Sequence, residues 1–573
     1  MYVEQTAADP QIIRNPEALA SPPRQVDKKR DRPFTDHAPA LGLFCATLFT
    51  HAALALFIGA NGWDDGSITL AFARAFADSG QIALTPASET VEGFSSPFWF
   101  LLTAGTFRVL PLDFDGMILA GQLWSGAFAA LGAMLVHAMV RPYGRVQAWL
   151  LGLVLFGYGP FLNETINGME MTSLSAVALA IVWLLRSGRR HAWIGLTLLA
   201  ATAPWIRAES VGYVVAGAVV LAIASKRYRQ AWALAAGAVL SLAALTAVRL
   251  AIFGSLLPNT MLAKQSSPYS ANSTVKQVLQ MFVAAVEVLY VLLPAAVIVI
   301  TALAGMRGGS RSVGTEAFRR MRSRSWHPVA AFGLGYIAAV AAFNVGIGRN
   351  WGYIGRMEQS AIALGVVAVV LSKPRVMQFL KSTRRLVAVI AALLLLTSCA
   401  IERQFIAARL HPDNQVAVTP AVYRTAGEAM DDVRVKLGKP ELAVLTPDVG
   451  GSSLCCSNLK ILDLALLANV ALARDGYAAM PSYLKATKPD LVETHGMWSE
   501  ASKLYDVDHF RDNYTPVVVR GMWMYLRNDL RLKLDSRCTP ITPQETRHLR
   551  YRGADVDERY VRSLNLDSVC RIS

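Results

Sequence analysis

The sequence predicts an α-helical polytopic membrane protein of about eleven spans, followed by a soluble α/β domain. Three observations carry that expectation. The 573 residues are 53% hydrophobic and only 17% charged, with a mean hydropathy of +0.35, whereas an ordinary soluble chain carries about 25% charged residues. Apolar runs long enough to cross a bilayer recur from residue 39 to residue 402. The net charge of +15 is gathered into alternate loops between those runs. A basic chain with a polar surface points to nucleic acid. A chain this apolar uses its basic residues to set topology, so disorder and nucleic-acid binding are both excluded.

Residues 1–38 are polar and Pro-rich and carry Lys28, Lys29, Arg30 and Arg32. They are too long and hydrophilic for a cleavable signal, which makes them a cytoplasmic tail before an uncleaved anchor. Spans are expected at 39–60, 117–140, 146–163, 170–186, 191–206, 209–225, 231–253, 276–305, 327–346, 357–372 and 385–402. Their internal Gly, Ala, Ser and Thr suit close helix packing in lipid. The run 97–112 is near the lower length limit and contains Arg108. If it does not span, five inner loops hold 19 Lys and Arg and the outer loops far fewer. If it spans, the asymmetry reverses. It is therefore read as an interfacial helix on the outer surface.

That topology puts residues 403–573 outside. This segment is polar, and its roughly 170 residues are enough for an independent core. Strands are expected at 442–445, 459–462, 491–494 and 517–519, and helices at 464–474 and 478–487. An exported domain permits disulfides. Of its four cysteines, Cys538 with Cys570 is the favoured pair, while Cys455-Cys456 lacks metal-ligand spacing.

The unusual polar clusters all fall on the outer face. The loop 61–96 opens with Trp63-Asp64-Asp65. Ile68, Phe72 and Phe76 recur every four residues and Gly80 can close the segment, the pattern of a short amphipathic helix. Glu92 follows before Ser96-Pro97. Asn167-Gly168-Met169-Glu170, Arg207 with Glu209, Asn259 with Lys264, and Arg349-Asn350-Trp351 through Arg356 occupy later outer loops. Ionisable groups at membrane depth are costly and point to function. Each has a plainer reading: adjacent acids cap a helix, Arg207–Glu209 is a structural ion pair, the arginines anchor span ends, and Lys264 snorkels. Their convergence on one face favours a site. A Gly-rich stretch at 346–352 follows a span and lacks nucleotide-loop spacing.

These segments resemble the GT-C glycosyltransferases, which use polyprenyl-phosphate sugars. Asp64-Asp65…Glu92-Gly93-Phe94-Ser95-Ser96-Pro97-Phe98-Trp99 is similar to a DD…EGYTSPLW pattern. Asn167-Gly168-Met169-Glu170 is similar to a GME turn, and Leu257-Pro258-Asn259-Thr260…Lys264 to LPNTFYAK. Together they resemble the mycobacterial terminal arabinofuranosyltransferase B family over most of 60–360. The likeness is weaker at Thr446-Pro447-Asp448-Val449-Gly450 and Leu462-Asp463-Leu464. The family's GGDWM-x-x-GRF departs here to GRNWGYIGRMEQ, with Asn350 in place of the acid and Arg356 kept.

The resemblance implies a GT-C-like membrane domain at 39–402 in a bacterial inner membrane, with the site and the 403–573 domain on the extracytoplasmic side. It implies transfer of a sugar, arabinofuranose by this likeness, to an envelope glycan or glycoprotein. A lipid-phosphate leaving group needs no strong acid, but the acceptor hydroxyl needs a base. Asp65 is favoured, with Asp64 orienting the hydroxyl or a cation. Arg207, Lys264, Arg349 and Arg356 are candidates for the departing phosphate. Trp63, Glu92, Glu170, Asn259 and Trp351 are candidates for sugar or acceptor contacts. A single displacement inverts while the resembled enzymes retain, so stereochemistry stays open. No cofactor is certain, and a divalent cation is the candidate. The expected partners are the lipid donor, the acceptor and membrane lipids. A secondary transporter or lipid-linked-sugar flippase is the competing reading; no internal repeat supports the transporter.

Overall fold

The computed structural model describes residues 38–266, 327–347, 355–372, 418–540 and 569–572, with three isolated positions between. Its membrane part is helical: α1 Ala38–Ile58, α2 Asp65–Ser79, α3 Pro97–Val109, α4 Phe114–Val140, α5 Arg145–Phe156, α6 Gly159–Ile166, α7 Met171–Ser187, α8 Ala192–Ile206, α9 Ser210–Ser225, α10 Tyr228–Phe253, α11 Asn259–Ser266, α12 Pro328–Ile347 and α13 Gln359–Ser372. Nine of the expected spans have a helical counterpart. The other two, 276–305 and 385–402, lie almost wholly outside the described residues.

The described helices do not confirm the count of eleven spans. Among the described residues four are long and apolar enough to cross a membrane: α1, α4 with the short turn after it, α10 and α12. A fifth span arises if α5 and α6 are joined, although they are bent by 54°. The bend falls at Gly157-Tyr158, with Pro160 opening α6. Helices α7, α8, α9 and α13 are apolar but have 14–17 residues, short of the roughly 20 that a bilayer core needs.

Small residues bring the helices together. A Cβ at Gly237 of α10 would lie 2.5 Å from the Thr197 carbonyl of α8, and one at Gly335 of α12 would lie 2.4 Å from the Ala216 carbonyl of α9. Local signals set the ends near the site. Ser96 caps α3 by accepting from Trp99 N, with Pro97 at the first helical position. Gly80 closes α2 at φ 77°.

The C-terminal part opens with α14 Pro420–Lys436 and forms a mixed sheet in the order β2-β1-β3-β5-β4-β7-β6. These strands are β1 Leu442–Thr446, β2 Leu459–Asp463, β3 Leu491–Glu493, β4 Tyr514–Val519, β5 Met522–Arg527, β6 Cys538–Pro540 and β7 Cys570–Ile572. Strands β2, β1 and β3 are parallel. Strands β4 and β5 form a tight hairpin whose turn, Arg520-Gly521, has φ of 47° and 79°.

One further expectation is corrected. The helix at 464–474 is confined to α16 Val470–Asp475, which follows α15 Gly450–Cys455 in chain order. The Asp463 carboxylate takes the amides of Ala465 and Ala468, and Asn469 caps Leu472 N, so 464–469 is a turn. Among the described residues a disulfide joins Cys455 to Cys456. The β6–β7 register places Cys538 opposite Ile572 and Cys570 opposite Pro540, so the favoured pair is not directly opposed. The side chains of that pair lie outside the described residues.

The sheet docks on the first loop of the membrane part. Leu70, Phe72 and Phe94 share one apolar core with Met430, Leu442, Val444 and Ile461. Thr85 Oγ1 donates to Leu459 O at 2.6 Å, and Ser266 Oγ to Ala473 O at 2.8 Å. The loops after α1 and α10 and the C-terminal domain therefore share one side of the molecule.

Candidate active site

Two of the loop segments singled out in the sequence, 61–99 and 167–170, meet directly. Trp63 N donates to Asn167 Oδ1 at 2.6 Å. Gly66, in the first turn of α2, lies so close to the Asn167 carbonyl that an added Cβ would sit 1.8 Å from it. Trp99 Nε1 of α3 donates to Gly168 O at 2.9 Å. The 167–169 turn is thus the hub on which α2 and α3 are set, and Asp65 and Glu170 face the same cavity.

That cavity has a volume of about 190 Å³. Its membrane-side wall carries Asp65, Glu170, Arg207, Lys264 and Arg356, with Met357 and Thr260; its far wall carries Ala465, Leu467 and Trp498 of the C-terminal domain. A chain of alternating charges runs along the first wall. Arg356 Nη1 donates to Asp65 Oδ2 at 3.4 Å, and Arg356 Nη2 stands 4.0 Å from Glu170 Oε1. Arg207 Nη1 donates to Glu170 Oε1 at 3.1 Å, while Arg207 Nε donates to Glu209 Oε1 at 2.7 Å. Behind this row, Glu164 accepts from Met171 N at 2.5 Å and from Gln359 Nε2 at 3.2 Å.

The electrostatics separate the cations. Burial works against the charge of Arg207, but Glu209 and Glu170 outweigh it and hold its pKa above the ordinary value. Lys264 is pushed down to about 8 by surrounding protein and by Arg207, with Glu209 acting in the opposite direction. The lysine is nonetheless open to the cavity, so water there offsets part of that desolvation. Arg356 Nε is buried without a hydrogen-bond partner among the described residues. Asp65 keeps a side chain 47% exposed.

Several expected residues are placed elsewhere. Asp64 does not line the cavity. Its side chain is buried and accepts from Gly450 N at 3.0 Å, Gly451 N at 2.8 Å and Ser67 Oγ at 2.5 Å. Burial raises its pKa to about 7, against the opposing effect of those hydrogen bonds. Glu92 forms a two-pronged buried pair with Arg249 of α10, with Arg249 Nη2 donating to Oε1 at 2.8 Å. Asn259 donates to Leu466 O at 3.0 Å and Leu467 O at 2.8 Å, fastening the C-terminal domain. Trp63 packs beside Ile58 and Ile166. Arg349 and Trp351 lie outside the described residues.

Three contributors were missed by sequence reasoning. Arg249 had a signal, a lone arginine inside an apolar span. Glu164 had one too, a carboxylate near the end of another expected span. Trp498 had none, because nothing local links it to a site more than 400 residues upstream. Among the described residues, no group of three or more His, Cys, Asp or Glu is arranged to hold a metal ion.

Neither a family model nor a curated protein sequence matches the chain. Solved structures do. ArnT from Cupriavidus metallidurans in the apo state aligns over 87% of this chain and 99% of its own, at 13% identity and a TM-score of 0.53. The fold of this chain is similar to that of ArnT. The same enzyme bound to undecaprenyl phosphate aligns at 14% identity over 74% of this chain and 85% of its own, with a TM-score of 0.46. The archaeal oligosaccharyltransferase AglB from Archaeoglobus fulgidus, in complex with an inhibitory peptide and a dolichol-phosphate, aligns at 11% identity over 85% of this chain and 74% of its own, with a TM-score of 0.43.

Proposed function

We propose that this chain is a membrane glycosyltransferase that moves a sugar from a polyprenyl-phosphate donor to an envelope glycan or glycoprotein. One observation carries the reading: a partly exposed carboxylate, Asp65, shares a cavity with Lys264, Arg207 and Arg356 at the mouth of a helical membrane domain. The likeness to the ArnT fold supports it. Arabinofuranose is the proposed sugar, on the likeness of the loop segments alone, and the extracytoplasmic face is the proposed side, on the charge asymmetry of the loops.

The chemistry follows from the two walls. The acceptor oxygen attacks the anomeric carbon, the bond from that carbon to the phosphate oxygen breaks, and Asp65 takes the hydroxyl proton. Lys264 and Arg356 receive the charge that gathers on the departing lipid phosphate, and Arg207 holds Glu170 and the row in place. Glu170 is positioned to accept from a sugar hydroxyl. The isoprenoid tail lies among the spans, so donor and site are brought together at the membrane surface. Asp64, Glu92 and Asn259 act by holding the loops that shape the cavity. Arg349 and Trp351 remain proposed as phosphate and sugar contacts.

The test is label transfer from a panel of radiolabelled polyprenyl-phosphate sugars in membranes. Wild type is expected to transfer from one donor, and Asp65→Asn to fall by at least about a hundredfold while inserting normally. Wild-type turnover in Asp65→Asn removes Asp65 as the base. Absence of transfer by wild type from any donor removes the glycosyltransferase reading and favours the flippase.

A further inference from the structure

The far wall of the cavity is built by the C-terminal domain in a specific way. The three parallel strands β2, β1 and β3 all end toward the cavity. Residues just past β2 supply Ala465 and Leu467, the segment past β1 reaches Asp64 through Gly450 and Gly451, and the segment past β3 supplies Trp498. Crevices at the carboxyl ends of parallel strands are where α/β sheets bind ligands.

Trp498 is the largest side chain that the C-terminal domain contributes to the cavity shared with the charged row. Its position is fixed from behind. His495, two residues past β3, presents Nδ1 to the carboxylate of Asp448, after β1, at 2.9 and 3.1 Å. The next helical turn is folded back on the same residue: Trp498 N donates to His495 O at 2.9 Å, and His495 N donates to Ser499 Oγ at 3.0 Å. Asp448 is buried. The His495–Asp448 contact therefore ties the ends of two adjacent strands together and sets the start of the turn that carries the tryptophan.

From this geometry we infer that Trp498 is the platform for the acceptor carbohydrate, with His495 and Asp448 as positioning residues. The inference rests on the glycosyltransferase reading and assigns its acceptor side. The donor phosphate is drawn to the cationic, membrane-side wall. The acceptor approaches from the opposite wall, which belongs to a water-exposed domain. The C–H face of a sugar ring is apolar and weakly electropositive, and it packs on the negative face of an indole. Leu467 and Ala465 extend that apolar surface, leaving the sugar hydroxyls directed at Asp65.

The experiment uses the full chain added to membranes from cells lacking it. Those membranes supply the native acceptor, and the radiolabelled donor is the one wild type uses. Trp498→Ala is expected to raise the acceptor KM about tenfold, with the donor KM and kcat within about twofold of wild type. Trp498→Phe keeps the aromatic face and restores most of the affinity. His495→Gln raises the acceptor KM in the same direction by a smaller factor. An unchanged acceptor KM in Trp498→Ala overturns the assignment. So does a parallel rise in both KM values, which means the site as a whole has been distorted. If wild type transfers no sugar, the parent reading fails and this one with it. If Asp65→Asn abolishes transfer while Trp498→Ala matches wild type, only the acceptor assignment fails.

Discussion

At the residue scale, two adjacent carboxylates have opposite fates. Asp65 faces the cavity and Asp64 is enclosed by backbone amides. Successive helical residues point about 100° apart, so a pair at the start of α2 delivers one side chain to each side, and the chain order alone does not say which. The pair Glu92–Arg249 was legible by only half. Glu92 was visible as a loop acid, and its partner lies more than 150 residues away inside an apolar run. Both side chains are 5% exposed. Removing one partner leaves a buried charge alone, which costs about 3–5 kcal/mol, whereas replacing both with apolar residues of similar volume is close to neutral. Glu92→Leu is therefore expected to lower the melting temperature of the detergent-solubilised chain strongly. Glu92→Leu with Arg249→Met should regain most of the loss. A double variant no more stable than the single would assign the cost to packing.

At the scale of elements, helices were easier to foresee than strands. Nine expected spans align with helices to within a few residues because an apolar run of 15–25 residues has one local solution, a helix that satisfies its own backbone. The break between α5 and α6 was signalled by Gly157 and Pro160 but hidden inside a continuous apolar run. Strand β5 was missed although Arg520-Gly521 marks its hairpin. The turn 464–469 was misread because Asp463 competes for its amides from outside the helical pattern. The contact between α15 and the loop before α2 was invisible, since its two sides are 386 positions apart. That contact requires a glycine. A Cβ at Gly450 would lie 2.3 Å from both Asp64 Oδ2 and Ser67 Oγ. Gly450→Ala is expected to pry α15 off the loop, speed tryptic release of the C-terminal domain and reduce transfer, while Gly105→Ala in α3, where an added Cβ meets nothing within 4 Å and φ is not positive, serves as a control for a change of glycine elsewhere in the chain. Equal protease resistance in wild type and Gly450→Ala would show that the apolar core, rather than this contact, holds the domain.

At the scale of the whole molecule, the docked state ought to depend on pH with a definite shape. Asp64 sits between the membrane part and the C-terminal domain, and Asp463 supports the turn that Asn259 grips. Burial raises both carboxyls from 3.8 to about 7. Between these values the unfolded chain has released its protons and the native chain has kept them, so the native state binds more protons and stability falls as pH rises. The loss is complete above about pH 7. Glu89, also raised by burial, adds to the same slope. Lys264 acts in the opposite sense. Its pKa is lowered from 10.5 to about 8, so above pH 8 the unfolded chain binds more protons and stability recovers toward 10.5, by an amount reduced through its exposure to cavity water. The contribution of these groups descends from about pH 4 to 7, is flat near 7–8, and rises again in alkali. Thermal unfolding of the solubilised chain at constant ionic strength reads it directly. Asp64→Asn and Asp463→Asn should each flatten the acid limb, and Lys264→Met only the alkaline one. An acid limb of unchanged slope in both Asn variants would place the titration elsewhere and leave the interdomain contact insensitive to pH.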